Sequence, residues 1–255
     1  MPVHHLVEGP ARAPTVVLAG SLGSTLSMWD RQVGALTEHF RVVRYDARGH
    51  GSSPVPPGPY SIDDLADDLA ALQDTVGAPR AHIVGLSLGG MTAIRLAARE
   101  PQRVDRLVLA CTTAAMGAPQ AWAERAAVVR AQGTGALADA VATRWLTAAY
   151  RLEHPADVAL LVSMIAATAA EGYASCCTAI EHMDLHADLA RITAPTLVIG
   201  GRDDPSIPVS DQQLLAAAVR GARLRIVDGA AHLASFERPD VVNALLIDHL
   251  TAAGT

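Results

Sequence analysis

Residues 81–95 read Ala81-His82-Ile83-Val84-Gly85-Leu86-Ser87-Leu88-Gly89-Gly90-Met91-Thr92-Ala93-Ile94-Arg95. A strand-like apolar run, Ile83-Val84, halts at Gly85-Leu86-Ser87-Leu88-Gly89, and a helix-compatible run follows. This is the G-x-S-x-G pattern in a strand–turn–helix setting, which puts a serine on a sharp turn. The turn forces Ser87 into a strained backbone conformation, and glycines on either side let neighbouring backbone pass without Cβ clashes. The hydroxyl then stands exposed at the top of a sheet. The Leu88 N–H opens the next helix and can point at a developing oxyanion. The five residues alone are only moderately specific; the strand before them and the helix after them give the pattern its weight.

Outward from this stretch, short β-branched runs recur at Thr15–Ala19, Arg41–Tyr45, His82–Val84, Arg106–Ala110, Thr196–Ile199 and Leu224–Val227. Helical patterns lie between most of them. Ser61 with Asp64 has the form of a capping box, and Ile62, Leu65, Ala66, Leu69 and Leu72 follow at helical spacing. Val209–Val219 and Asp240–Leu250 read as further helices. Strands alternating with helices predict an α/β fold, a mostly parallel sheet with helices on both faces. The rhythm breaks between about 117 and 190, where an alanine-rich segment shows helical spacing at Trp122–Ala131, Ala136–Tyr150, Ala156–Ala170 and Tyr173–Asp184 without a convincing strand. The expected organisation is a core of residues 1–116 and 191–255 with a helical cap inserted at 117–190. Extra peripheral helices of the sheet are the alternative.

Bulk properties agree with one α/β domain carrying an insertion. The chain has 255 residues, half of them apolar and 18% charged, enough for a large core. A net charge of −6 argues against a nucleic-acid partner, which demands a basic face. All 20 basic residues are arginine, so lysine Schiff-base chemistry and a P-loop lysine are excluded. The start, Met1 to Glu8, lacks a basic-then-apolar signal region. The longest uncharged stretches, near 81–94 and 158–170, fall short of the roughly 18 apolar residues that span a bilayer. A soluble, cytoplasmic protein with no membrane partner is expected. Cys111, Cys176 and Cys177 are odd in number and two are adjacent, a poor disulfide framework; buried reduced thiols are expected.

A serine needs a base to take its proton, and the base needs an acid to hold it. After Ser87 the sequence offers Gly200-Gly201-Arg202-Asp203-Asp204-Pro205, just past the strand at Thr196–Ile199, and Gly229-Ala230-Ala231-His232, just past the strand at Leu224–Val227. Catalytic groups of open α/β sheets gather outside the carboxyl ends of the strands. Ser87, Asp204 and His232 each sit at such an end, in the chain order serine, acid, histidine. Asp203 competes with Asp204 as the acid. The second oxyanion donor is expected from Gly20-Ser21-Leu22-Gly23-Ser24, the loop after the first strand, with the Leu22 N–H as candidate beside that of Leu88. A plain glycine-rich turn is the alternative. His50, in a turn-rich loop, is a weaker catalytic candidate. His182 and His186 flank Asp184 at helical spacing, but there is no His-Glu-x-x-His, and no metal site is expected.

These residues resemble the α/β-hydrolase superfamily and, within it, the 3-oxoadipate enol-lactonase family. The narrower likeness is carried by Ser21-Leu22-Gly23 followed by Met28-Trp29-Asp30, by Phe40 through Gly51, by Pro57-Gly58-Pro59-Tyr60-Ser61, by Gly85 through Met91 and by Ala230-Ala231-His232-Leu233. The segments Trp122…Arg125, Arg144-Trp145 and Glu171-Gly172-Tyr173-Ala174 extend it into the insertion. Gly20 stands where the family often carries Asn, and Leu146 where an aromatic residue often follows Arg-Trp; both positions bear on substrate fit. The resemblance implies an α/β-hydrolase fold and a cofactor-independent serine hydrolase that opens an anionic enol-lactone. Such a substrate carries a free carboxylate and calls for a cation, preferably a bidentate arginine. Arg125 and Arg144 are the candidates, with Trp122, Trp145 and Ser21 expected to border the substrate. A carboxylesterase or thioesterase with the same triad, and a hydrolase-fold receptor with little turnover, are the rival readings. The oligomeric state is open.

Overall fold

The computed structural model describes residues 1–252. Seven strands form one sheet: β1 (His5–Glu8), β2 (Thr15–Ala19), β3 (Arg41–Tyr45), β4 (Ala81–Leu86), β5 (Val104–Ala110), β6 (Thr196–Gly201) and β7 (Arg223–Val227). Their order is β1-β3-β2-β4-β5-β6-β7, with β1 antiparallel to β3 and every other pairing parallel. In β4 and β6 every residue is buried, as expected of central strands covered on both faces. The short edge strand β1 is not foreseen from the sequence. Its four residues are half-exposed or exposed and lack a clean alternation.

Side-chain alternation builds a core on each face of the sheet. Val17, Ile83, Leu107, Leu109 and Val198 pack on one side; Val16, Leu18, Val84, Val108, Leu197 and Ile199 pack on the other. The helices of the first side are α2 (Ile62–Thr75) and α3 (Leu88–Arg99); those of the second are α1 (Asp30–Thr37) and α12 (Pro239–Thr251). The capping box forms as read: Ser61 Oγ accepts the Asp64 N–H at 3.1 Å and Asp64 Oδ2 accepts the Ser61 N–H at 2.9 Å.

Between β5 and β6 run α4 (Pro119–Gln132), α5 (Ala138–Trp145), α6 (Ala148–Glu153), α7 (Pro155–Ala166), α8 (Ala170–Glu181) and α9 (His186–Leu189), with no strand among them. α4 lies against α8 and α5 against α7. The single helix expected over Ala136–Tyr150 is instead broken. Leu146 turns extended (φ −125°, ψ 145°), and the Thr147 hydroxyl accepts the Tyr150 N–H at 3.2 Å to start α6. α10 (Val209–Ala218) joins β6 to β7, and the short α11 (Ala234–Glu237) follows β7 ahead of α12. Among the described residues no single helix is long and apolar enough to cross a membrane.

Candidate active site

Ser87 sits between β4 and α3 with φ +55° and ψ −116°, a conformation that side-chain-bearing residues rarely hold. The surroundings over-determine it. Its N–H donates to Ala110 O at 3.0 Å, and its carbonyl accepts the Thr112 hydroxyl at 2.7 Å and the Met91 N–H at 3.0 Å. Gly89 packs so tightly that a Cβ there would lie 2.2 Å from Ala19 O. Among the described residues the Ser87 hydroxyl has no hydrogen-bond partner.

His232 follows β7 on a loop and is 4% exposed. Its Nδ1 lies 2.8 Å from Asp204 Oδ2, so Nδ1–H donates to the carboxylate and Nε2 is left as the acceptor. Asp204 is itself buried after β6, and its Oδ1 accepts the N–H groups of Ser206 and Ile207 at 2.8 and 3.0 Å. The neighbouring Asp203 is exposed and its N–H donates to Ala230 O. Of the two acids, the imidazole meets Asp204.

Ser87 and His232 open onto one cavity of about 250 Å³. Ser21, Leu22, Trp122, Arg125, Arg144 and Trp145 line the same cavity, so the loop after β2 and the helices α4 and α5 converge on the serine. Leu88 borders a different, small cavity; its N–H stands at the start of α3. Arg125 donates to the Tyr173 hydroxyl and lies over the faces of Trp122 and Tyr173, 5.1 and 5.3 Å from the ring centroids. Neither Arg125 nor Arg144 has a carboxylate partner among the described residues, although most arginines of this chain do. Two arginines without acid partners on the lining of one cavity make it receptive to an anion.

Met91, Met116, Val141, Ile180 and Pro205 to Ile207 complete the walls, and sequence reasoning did not single them out. Apolar residues carry no mark that separates pocket wall from core. His50 lies elsewhere: buried at 1% exposure, it accepts the Gly23 N–H on Nε2. His182 and His186 are exposed, and no cluster of three or more metal-ligating side chains exists among the described residues. All three cysteines are buried and free, and burial pushes the Cys177 thiol up to about 12.

This elbow, sheet and site define an alpha/beta hydrolase. The family model described as the alpha/beta hydrolase fold matches residues 14–239, and the chain belongs to that family. It is 40% identical to 3-oxoadipate enol-lactonase 2 of Acinetobacter baylyi over 241 residues, covering 94% of this chain and 90% of that protein. The crystal structure of the enol-lactonase from Burkholderia xenovorans LB400 matches with a TM-score of 0.96 at 43% identity, over 98% of this chain and 96% of that one. A putative carbamate hydrolase, RutD of Variovorax paradoxus, is 35% identical over 98% of this chain and 96% of its own. The protein is a hydrolase.

Proposed function

We propose that the protein opens the ring of 3-oxoadipate enol-lactone to give 3-oxoadipate, a step in the breakdown of aromatic compounds. The observation that carries this reading is the single cavity bordered by Ser87, His232 and two arginines without acid partners. The likeness to two enol-lactonases supports it.

In this mechanism Ser87 gives its proton to Nε2 of His232 and attacks the lactone carbonyl. Asp204 holds the ring in the tautomer that leaves Nε2 free and stabilises the imidazolium that forms. The backbone N–H groups of Leu22 and Leu88 receive the negative charge on the carbonyl oxygen. The bond from that carbon to the ring oxygen then breaks. The departing oxygen leaves as an enolate, a better leaving group than a simple alkoxide; it takes up the proton held on Nε2 of His232, which returns the imidazole to its neutral form, and the product ketonises. Water, deprotonated by His232, releases the acyl group from Ser87. The Ser87–His232 hydrogen bond closes as substrate arrives, a tightening common in such sites. Arg125 and Arg144 receive the free carboxylate, Trp122 and Trp145 wall the ring, and Ser21 borders it. Residues 117–190 act as a cap over a core of 1–116 and 191–252; residues 253–255 of the expected core lie outside the described residues.

The test is kcat/KM on the enol-lactone beside a neutral p-nitrophenyl ester and a small carbamate. A higher value on the lactone, lost in Ser87→Ala, is expected. A preference for the neutral ester identifies a general esterase. A preference for the carbamate favours a second reading, supported by the likeness to RutD. Rapid multiple turnover together with fluorophosphonate labelling of Ser87 excludes a receptor.

A further inference from the structure

Glu237 ends α11, five residues beyond His232, and is 5% exposed. Its two oxygens serve different parts of the chain. Oε2 accepts the Ala231 N–H at 2.6 Å, on the residue directly before His232. Oε1 accepts both the N–H and the hydroxyl of Thr147, at 2.7 and 2.8 Å. Thr147 stands at the break between α5 and α6, two residues after Trp145 of the cavity wall. A further bond ties the same strands of chain together, from the Leu233 N–H to Trp145 O at 2.9 Å.

No cation pairs with this carboxylate among the described residues; three N–H and O–H donors satisfy it. A buried charge held only by such donors is costly, and burial accordingly pushes its pKa up. Apolar side chains would join α11 to α6 more cheaply. What an apolar contact would not do is fix two backbones at once, in direction as well as distance.

We propose that Glu237 is a positioning residue that sets the His232 loop and the α5–α6 junction against one another, so that base and cavity wall keep one register. The proposal rests on the reading above in which His232 is the base and Trp145 borders the substrate. One oxygen holds the backbone that aims the imidazole. The other holds the break that ends α5 and thereby places Arg144 and Trp145. A misplacement of about 1 Å remote from the reacting atoms can cost on the order of 10²-fold in rate.

The experiment compares Glu237→Ala and Glu237→Gln with the parent. Active sites are counted with a fluorophosphonate, and kcat, KM, the pH dependence of kcat and the Ser87 labelling rate are measured. The alanine variant leaves both sets of donors stranded. The glutamine variant keeps one acceptor oxygen and presents an N–H₂ to the other set. Expected for Glu237→Ala is a kcat per active site lower by roughly tenfold or more, a raised KM, a displaced limb of the pH profile and slower labelling. The glutamine variant is expected to fall between it and the parent. A purely structural role would lower the melting temperature and leave kcat per active site and the pH profile alone. A Glu237→Ala kcat within about tenfold of the parent overturns the proposal. Where the alanine variant fails to fold, Glu237→Gln decides, at a threshold of about threefold. Turnover surviving in Ser87→Ala defeats the serine–histidine reading itself. An inactive Ser87→Ala beside a fully active Glu237→Ala defeats only the role given to Glu237.

Discussion

Nε2 of His50 accepts the N–H of Gly23 at 2.9 Å, while Nδ1 of the same ring lies 3.0 Å from Arg48 O. The two contacts fix one tautomer, with the proton on Nδ1, and they join the loop after β3 to the loop that carries Leu22. Burial holds the His50 pKa down, which keeps the ring neutral and Nε2 an acceptor. His50→Ala strands the Gly23 N–H, which costs about 1–3 kcal/mol by itself. The expected result is a lower melting temperature together with a lower kcat, since the Leu22 donor loses its anchor. An unchanged kcat in the folded variant would separate the His50 contact from the oxyanion site.

Asp204→Asn should leave the fold intact and nearly abolish turnover. Asp204 uses Oδ1 for two backbone N–H groups and Oδ2 for the imidazole. The asparagine oxygen is drawn to the backbone donors, so its N–H₂ faces Nδ1 of His232. The ring then favours the tautomer with its proton on Nε2, where the mechanism needs a lone pair. A kcat lower by roughly 10³–10⁴-fold with an unaltered circular dichroism spectrum is expected.

The two cavity arginines are distinguishable. Arg125 is oriented beforehand by the Tyr173 hydroxyl and the Trp122 ring, whereas the Arg144 side chain is exposed at the mouth. A preorganised guanidinium loses less freedom when it grips a carboxylate. Arg125→Ala is therefore expected to raise KM for the anionic lactone by about 10- to 100-fold, the worth of one charge-assisted hydrogen bond. Arg144→Ala should raise it less, and neither should raise KM for a neutral ester. Equal effects on charged and neutral substrates would place both arginines outside carboxylate recognition.

How much of this could be read beforehand follows from where each signal resides. The elbow was legible because its constraints are local: a buried apolar strand, two glycines and a helix within fifteen residues. The order serine, acid, histidine was legible because strand ends mark themselves by composition. The sequence favours Asp204 yet leaves Asp203 as a competitor, since what decides between them is a turn in which Oδ1 of Asp204 captures two later N–H groups. The break at Leu146–Thr147 was not legible at all. The run contains no glycine or proline to announce it, and the group that holds Thr147 is Glu237, 90 residues further along.

Close approach of backbones predicts a steric effect at Gly172. α8 meets the loop after β3 there, and a Cβ on Gly172 would lie 2.2 Å from Gly49 O and 2.4 Å from Gly49 Cα. Neither atom belongs to a side chain that can swing away. Gly172→Ala must push α8 outward, an overpacking cost of about 1–3 kcal/mol. That corresponds to a melting temperature lower by roughly 2–12 °C for a domain of this size. Gly34→Ala, with nothing within 4 Å of the added carbon, is the matched control and should not destabilise the protein.

His249 predicts the shape of the acid limb of stability. It lies on α12, 2% exposed, with Nε2 3.1 Å from Leu107 O and 3.2 Å from Pro195 O, and Nδ1 beside the Arg223 guanidinium. Burial, helped by the charges of Arg223 and Arg106, pushes its pKa down to about 4 from an ordinary 6.5. The folded state thus refuses a proton that the unfolded chain accepts below 6.5. Stability from this residue is complete above that pH. It is lost as pH falls from 6.5 towards 4, with a slope of up to about 1.4 kcal/mol per pH unit and a total of about 3 kcal/mol. His249→Gln can still donate to a carbonyl but does not titrate. Urea unfolding between pH 7 and 4.5 should show the variant losing stability less steeply than the parent, whatever their difference at pH 7. Parallel curves would mean that His249 is not the group that couples this core to acid.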